Sequence, residues 1–297
     1  MRAKIKNLML PLSIIGGILF HEWIGEFQGV VPFLIFASLV ISFCKVKPHE
    51  VRIKDVHIAL ISFQLLASWV VYLLLLPINP IVAQGAFLCL LMPTASAAPV
   101  FTGMVGGSVS FVLAYSLLCN SIFAVLSPFF LNIITANDDI GFFSATITIG
   151  ERIFPMIAVP LLIAFSLRYF APKVHTKLVN NQVLSFYLWA VALFISVGNA
   201  VSFVIKHGSE DVWSIVGLAI ISLVVCVLQF MVGKRIGASD NNSIAAGQAL
   251  GQKNTILAIW VALTFMNPIC SVAPASYILW QNSINSYELF RKNKSKS

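Results

Sequence analysis

Long apolar runs alternate with short polar punctuation along the whole chain, and this pattern predicts the elements. Ten runs stand out, near 8–21, 29–44, 56–76, 82–104, 109–135, 141–169, 183–205, 212–232, 243–266 and 268–288. A helix that crosses a bilayer needs about 20 predominantly apolar residues, so runs of this length read as crossings. The first two are short. The separations at Pro77–Pro80 ("PINP"), Gly106–Gly107 and Met266–Pro268 ("MNP") rest on Gly and Pro alone.

Composition turns this pattern into a class. Of the 297 residues 59% are hydrophobic and only 10% charged, with a mean hydropathy of +0.91. Soluble domains carry about a quarter of their residues as charged ones. The expected fold class is therefore an all-α integral membrane protein of ten transmembrane helices. The opening "MRAKIKNLMLPLSIIGGILF" has a basic head and an apolar body. The following "HEWIGEFQG" offers no small-residue cleavage pattern, so a retained first helix is expected.

Charge tests the count. With ten spans, alternate loops collect Arg2, Lys4 and Lys6; Lys45, Lys47, Arg52 and Lys54; Arg168, Lys173 and Lys177; Lys234 and Arg235; and Arg291, Lys292, Lys294 and Lys296. That is 16 of the 19 basic residues on one side, while the opposite loops hold Glu22, Glu26, Asp138, Asp139, Glu210 and Asp211. The positive-inside rule then places both termini in the cytoplasm, in a plasma (inner) membrane. It also accounts for the net charge of +8 without a nucleic-acid partner.

Five spans in each half give an N-in first helix and an N-out sixth, the layout of two inverted repeats, 1–135 and 136–297. The fourth span contains "MPTASAAPVFTG" and the ninth "AGQALGQKNT", so each half carries an interrupted, polar helix at the same ordinal position. A break in a membrane helix frees backbone N–H and C=O groups, which is tolerated only inside protein or along a cavity. Half-helix N-termini suit anions and freed carbonyls suit cations. The competing reading is that Gly and Pro are simply common in membrane helices and that polar residues join helices together. Two breaks at matching positions favour a transport site.

Other chemistry is excluded by what is missing. The five cysteines lie in or at the ends of apolar runs without C-x-x-C spacing and read as small hydrophobes. The five histidines fall at span ends or in loops, so no metal or haem is expected. The acidic doublets Asp138–Asp139 and Glu210–Asp211 lie in short external loops, unlike the paired motifs of membrane phosphotransferases, and no enzyme activity is expected. A channel would want a continuous polar pore, and a sensor a soluble output domain.

These residues resemble the bile acid:sodium symporter family. The resemblance rests on "PTAS" in the fourth span, Ser127–Pro128 in the fifth, "GQKNTILA" in the ninth and "LWQN" in the tenth. It implies core and panel domains, broken helices that cross at mid-membrane, and uptake of a small organic anion with sodium. The family's cation ligands fall on Gln64, Ser96, Ala97, Asn120, Ser121, Ala249, Leu250, Gln252 and Lys253. Its substrate contacts fall on Thr94, Ser96, Asn254 and Thr255, with Gln281 and Asn282 in the tenth span. A hard cation wants oxygen ligands with a carboxylate. Here the shared acid is Ala249, an asparagine is Ala97 and a glutamine is Lys253, so the sodium sites look dismantled.

Lys253 is the outlier. A lysine at a helix centre costs about 2.5–3.5 kcal/mol on insertion scales. An ammonium has the charge of the missing cation, so the expectation is that Lys253 replaces it, held by Gln64, Ser96 and freed carbonyls. It would also neutralise an anionic substrate, bile-acid-like or a hydroxy-carboxylate, and release of its proton would couple transport to protons instead of sodium. The alternative is that Lys253 snorkels to water and has no specific role. Glu151 and Arg152 form either an ion pair in the sixth span or the edge of an interfacial segment.

Overall fold

A computed structural model describes residues 12–45, 52–95, 97–135, 142–207 and 212–294. Apart from one isolated two-residue bridge, the described residues form helices and the turns between them. The helices are α1 (12–19), α2 (His21–Ile24), α3 (Val31–Phe43), α4 (Asp55–Leu75), α5 (Pro80–Leu91), α6 (Ala98–Val105), α7 (Val109–Thr135), α8 (Phe142–Phe170), α9 (Pro172–Asn180), α10 (Gln182–His207), α11 (Val212–Gly237), α12 (Ser243–Gly251), α13 (Thr255–Phe265) and α14 (Val272–Lys294). Four of the described stretches, Asp55–Leu75, Val109–Thr135, Thr146–Phe170 and Val212–Asp240, are long and apolar enough to cross a membrane. The chain is an all-α membrane protein.

Local chemistry sets the helix limits. Pro80 opens α5 at a position where its missing N–H costs nothing, and the Asn79 side chain accepts from Val82 N–H at 3.0 Å. Asn254 caps α13 in the same way, accepting from Leu257 N–H at 3.2 Å. Gly106 ends α6 with φ of +89°, a left-handed conformation that favours glycine. All three weakly punctuated separations are real turns in the structure: α4 gives way to α5 across 76–79, α6 to α7 across 106–108, and α13 to α14 through a short 3-10 turn, Pro268–Ser271. The Ser127–Pro128 pair does not end its helix, because α7 continues through Pro128 to Thr135.

Polarity is inverted relative to a soluble protein. The buried stripe of α4 is His57, Leu60, Ile61, Gln64, Ser68 and Tyr72, while Leu66, Val70, Leu73 and Leu74 face outward. α11 repeats the arrangement, with Ser214, Ser222 and Gln229 buried and Val216, Ile220, Val224 and Met231 outward. Lipid tails accept the apolar faces, and hydrogen bonds join the polar ones.

α5, α12 and α13 are different: they are buried on nearly every side. α4, α6, α7, α11 and α14 pack around α5 and α12. α3 packs against both α8 and α10, α2 lies on α10, α8 also packs along α7, and α13 touches members of both sets. Gly233 lets α11 reach α12 closely, since a Cβ there would lie 2.6 Å from the Ala246 carbonyl oxygen. The two interrupted helices are therefore the centre of the molecule.

Candidate functional site

The two interruptions meet. α5 ends at Leu91 and α12 at Gly251, each followed by a short extended stretch before the next helix. Thr94 and Lys253 pair there as an antiparallel bridge. Ala95 N–H donates to the Gln252 carbonyl and Asn254 N–H to the Pro93 carbonyl, both at 2.9 Å. Backbone groups freed by each break are thus satisfied by the other break, as an environment without water requires.

Side chains complete the satisfaction, and they come in two matching couples. On one side the Gln64 amide donates to the carbonyls of Leu91 (2.8 Å) and Met92 (3.2 Å), and the Tyr115 hydroxyl donates to Gln64 Oε1 at 2.8 Å. On the other side the Tyr277 hydroxyl donates to the Gly251 carbonyl at 2.8 Å, and the Gln229 amide donates to Tyr277 Oη at 3.0 Å. Gln229 also reaches across to the Cys89 carbonyl at 3.3 Å. Thr94 Oγ1 donates to the Ala249 carbonyl at 2.7 Å, and Lys253 N–H donates to Gln281 Oε1 at 3.0 Å.

Lys253 itself is 1% exposed, and its Nζ has no hydrogen-bond partner among the described residues. The titratable groups acting on it are the Cys89 and Cys119 thiols. Snorkelling is ruled out at this exposure. The expected Gln64–Lys253 contact is absent as well: both ends of the Gln64 amide are used, on helix-end carbonyls and on Tyr115. The carbonyls of Leu91, Met92, Ala249 and Gly251 all receive protein donors rather than the ammonium.

The remaining expected residues divide. Asn254, Thr255, Gln281 and Gln252 are buried at the crossing, Asn254 as a helix cap and Gln252 donating to Gln248 Oε1 at 2.9 Å. Asn120 is buried, donates to the Ser116 carbonyl at 2.7 Å and leaves Oδ1 without a partner among the described residues. Asn282 is half-buried and bonds back to the Ile278 carbonyl at 2.6 Å. Ser121 is exposed on α7, because one step along a helix turns its side chain about 100° away from Asn120, so it is no ligand at the crossing. Ser96 lies outside the described residues. Glu151 and Arg152 are both exposed on α8, away from the crossing.

A polar seam extends from the crossing between α12 and α14. Gln252 donates to Gln248, whose amide donates to Asn285 Oδ1 at 3.0 Å and to Glu288 Oε2 at 2.8 Å. Glu288 also pairs with Lys234 of α11. Its side chain is 11% exposed, so Glu288 is a shielded acid, unlike the exposed Glu151. A carboxylate only accepts, which forces Gln248 to turn its NH2 toward Glu288 and its oxygen toward Gln252.

Tyr115, Tyr277, Gln229, Gln248 and Glu288 were not expected from sequence. One signal would have found the tyrosines. "YSLLCNS" (115–121) and "YILWQNS" (277–283) share Tyr, Leu, Asn and Ser at four matching positions, one on α7 and one on α14. Among the described residues no group of three or more His, Cys, Asp or Glu side chains is placed to hold a metal ion. No known family model and no curated protein matches the chain.

Proposed function

We propose that this chain is a secondary active transporter of a small organic anion, working by alternating access around the crossing of α5–α6 with α12–α13. The observation that carries this reading is the fully buried Lys253, its ammonium without a partner among the described residues, at the point where two interrupted helices pair. An unpaired charge in such a place is costly. A ligand carboxylate that supplies the missing counter-charge repays that cost when it binds, which makes binding selective for anions.

Ten crossings in two inverted five-helix repeats fit this reading. Gln64 and Tyr115 sit on the third and fifth spans of the first half, and Gln229 and Tyr277 on the third and fifth spans of the second. Each Gln–Tyr couple serves the end of the broken helix in its own half. Inverted repeats place their substrate site at this kind of internal axis. The packing of α3 onto both α8 and α10, with α2 on α10, supports a second body that joins the first along α7–α8 and α13, in line with the panel and core implied by the resemblance to bile acid:sodium symporters.

Sodium coupling is not favoured. The position of the shared acid is Ala249, the carbonyls at both breaks are taken by protein donors, and Lys253 supplies a fixed positive charge. Protons remain available as the coupling ion through Lys253. Both termini are cytoplasmic in this reading, set by the basic loops.

A thermal-shift screen of organic anions on the purified protein, each run with and without sodium, tests the proposal. At least one carboxylate should stabilise the protein equally in both conditions. A protein stabilised by no anion, or one that conducts single-channel currents, is not this transporter.

A further inference from the structure

The helix α9 and the end of α8 form a surface that the transport reading leaves unused. α8 finishes with Arg168, Tyr169 and Phe170, and the two aromatic rings are 76% and 88% exposed. Aromatic residues exposed at the end of an apolar helix mark the bilayer interface. A single residue later Pro172 starts α9, a nine-residue helix with no buried residue. The one-residue link holds the start of α9 next to these rings.

Its faces match that setting. Leu178 and Val179 pack onto the hydrophobic core. Lys173 and Lys177, one helical turn apart, lie together on an exposed face, and the half-buried His175 lies on the other side of the helix. No acid occurs in the sequence between Arg152 and Glu210, so neighbouring segments of chain offer these cations no carboxylate. Neither lysine has an ion pair among the described residues. A second observation points the same way: Arg168 Nη1 is shielded from solvent and lacks a hydrogen-bond partner among the described residues.

We propose that Arg168, Lys173 and Lys177 form a binding site for the phosphate headgroup of an anionic phospholipid. Arg168 would donate to a phosphate oxygen from the shielded side, and the two lysines would hold the headgroup from the aqueous side. Tyr169 and Phe170 would sit at the boundary between headgroups and acyl chains and fix the depth. A short basic amphipathic helix at an interface binds by this combination of charge and apolar anchoring. A soluble acidic partner fits less well, because the anchoring rings on one flank are turned to lipid. The site stands apart from the crossing and does not depend on what is transported.

Each basic residue near an anionic surface is worth roughly fivefold in affinity. The test is native mass spectrometry of the full-length protein with added dioleoylphosphatidylglycerol or dioleoylphosphatidylcholine. The wild-type protein should retain phosphatidylglycerol at about tenfold lower concentration than phosphatidylcholine. K173Q/K177Q should lose that preference, and R291Q, on α14, should keep it. Both lysines are exposed, so the double variant folds. As a second reading, a bimane probe on T176C should be quenched by brominated phosphatidylglycerol in vesicles of three parts phosphatidylcholine to one part phosphatidylglycerol. Equal retention of both lipids by the wild type, an unchanged preference in K173Q/K177Q, or an equal loss in R291Q would overturn the proposal.

Discussion

Thr94 and Lys253, far apart in sequence, face each other as an antiparallel pair where two interrupted helices cross. Thr94 spends its hydroxyl on the Ala249 carbonyl. Lys253 spends its backbone N–H on Gln281 and leaves its ammonium unpartnered among the described residues. The pair is thus asymmetric: one member is fully satisfied, while the other keeps a charge in reserve.

A charge kept in reserve costs stability. Lys253→Met keeps the volume and removes the charge, so the ligand-free protein should become more stable by about 1–3 kcal/mol. Detergent thermal melts of both proteins measure this. A melting temperature equal to or below that of the wild type means that the ammonium is solvated or paired.

The two tyrosines should behave alike despite belonging to different halves. Tyr277→Phe orphans the Gly251 carbonyl and one Gln229 contact, and Tyr115→Phe leaves Gln64 Oε1 only the weak Cys119 thiol donor at 3.6 Å. Each should destabilise by about 1–3 kcal/mol. Tyr169→Phe, at an exposed site, should change the melt by less than about 0.5 kcal/mol.

Glu288 orients the amides of the seam. Glu288→Leu removes one of the two acceptors of the Gln248 amide and the partner of Lys234, and should cost about 1–3 kcal/mol. Glu288→Gln keeps an acceptor oxygen for Gln248 and should recover at least half of that loss. If the two variants melt together, the carboxylate acts through Lys234 alone.

Close approach of α11 to α12 rests on Gly233. An added Cβ would lie 2.6 Å from the Ala246 carbonyl and 2.9 Å from Gly247 Cα, both backbone atoms that cannot swing away. Gly233→Ala should destabilise by about 1–3 kcal/mol, more than an Ala substitution at exposed Gly29, where nothing lies within 4 Å.

Much of the architecture was legible because membrane helices obey one strong rule, internal hydrogen bonding of every backbone polar group. Apolar runs marked the helices, and the residues around Pro93 and Gly251–Lys253 marked the breaks. Their partners were less legible. Gln64 was foreseen at the crossing, but its bonds were not, because which carbonyl an amide reaches depends on helix rotation and packing. Ser121 shows the same limit, since adjacent positions on α7 face opposite environments. Glu288 was hidden by its place at the end of a run, where acids normally meet water. In the structure α11 and Gln248 cover it. The Tyr-x-Leu-x-x-Asn-Ser repeat was visible in principle, but four matches in seven positions carry little weight until both copies are seen to serve the same purpose.

The most direct measurement is uptake of a stabilising anion into proteoliposomes, by the wild type and by Lys253→Gln, with external sodium present or replaced by choline. The predicted result is wild-type uptake that changes by less than about twofold without sodium, and a loss of about tenfold or more in Lys253→Gln. Uptake that vanishes without sodium and is unaffected by Lys253→Gln would contradict the assignment of Lys253 as the built-in cation.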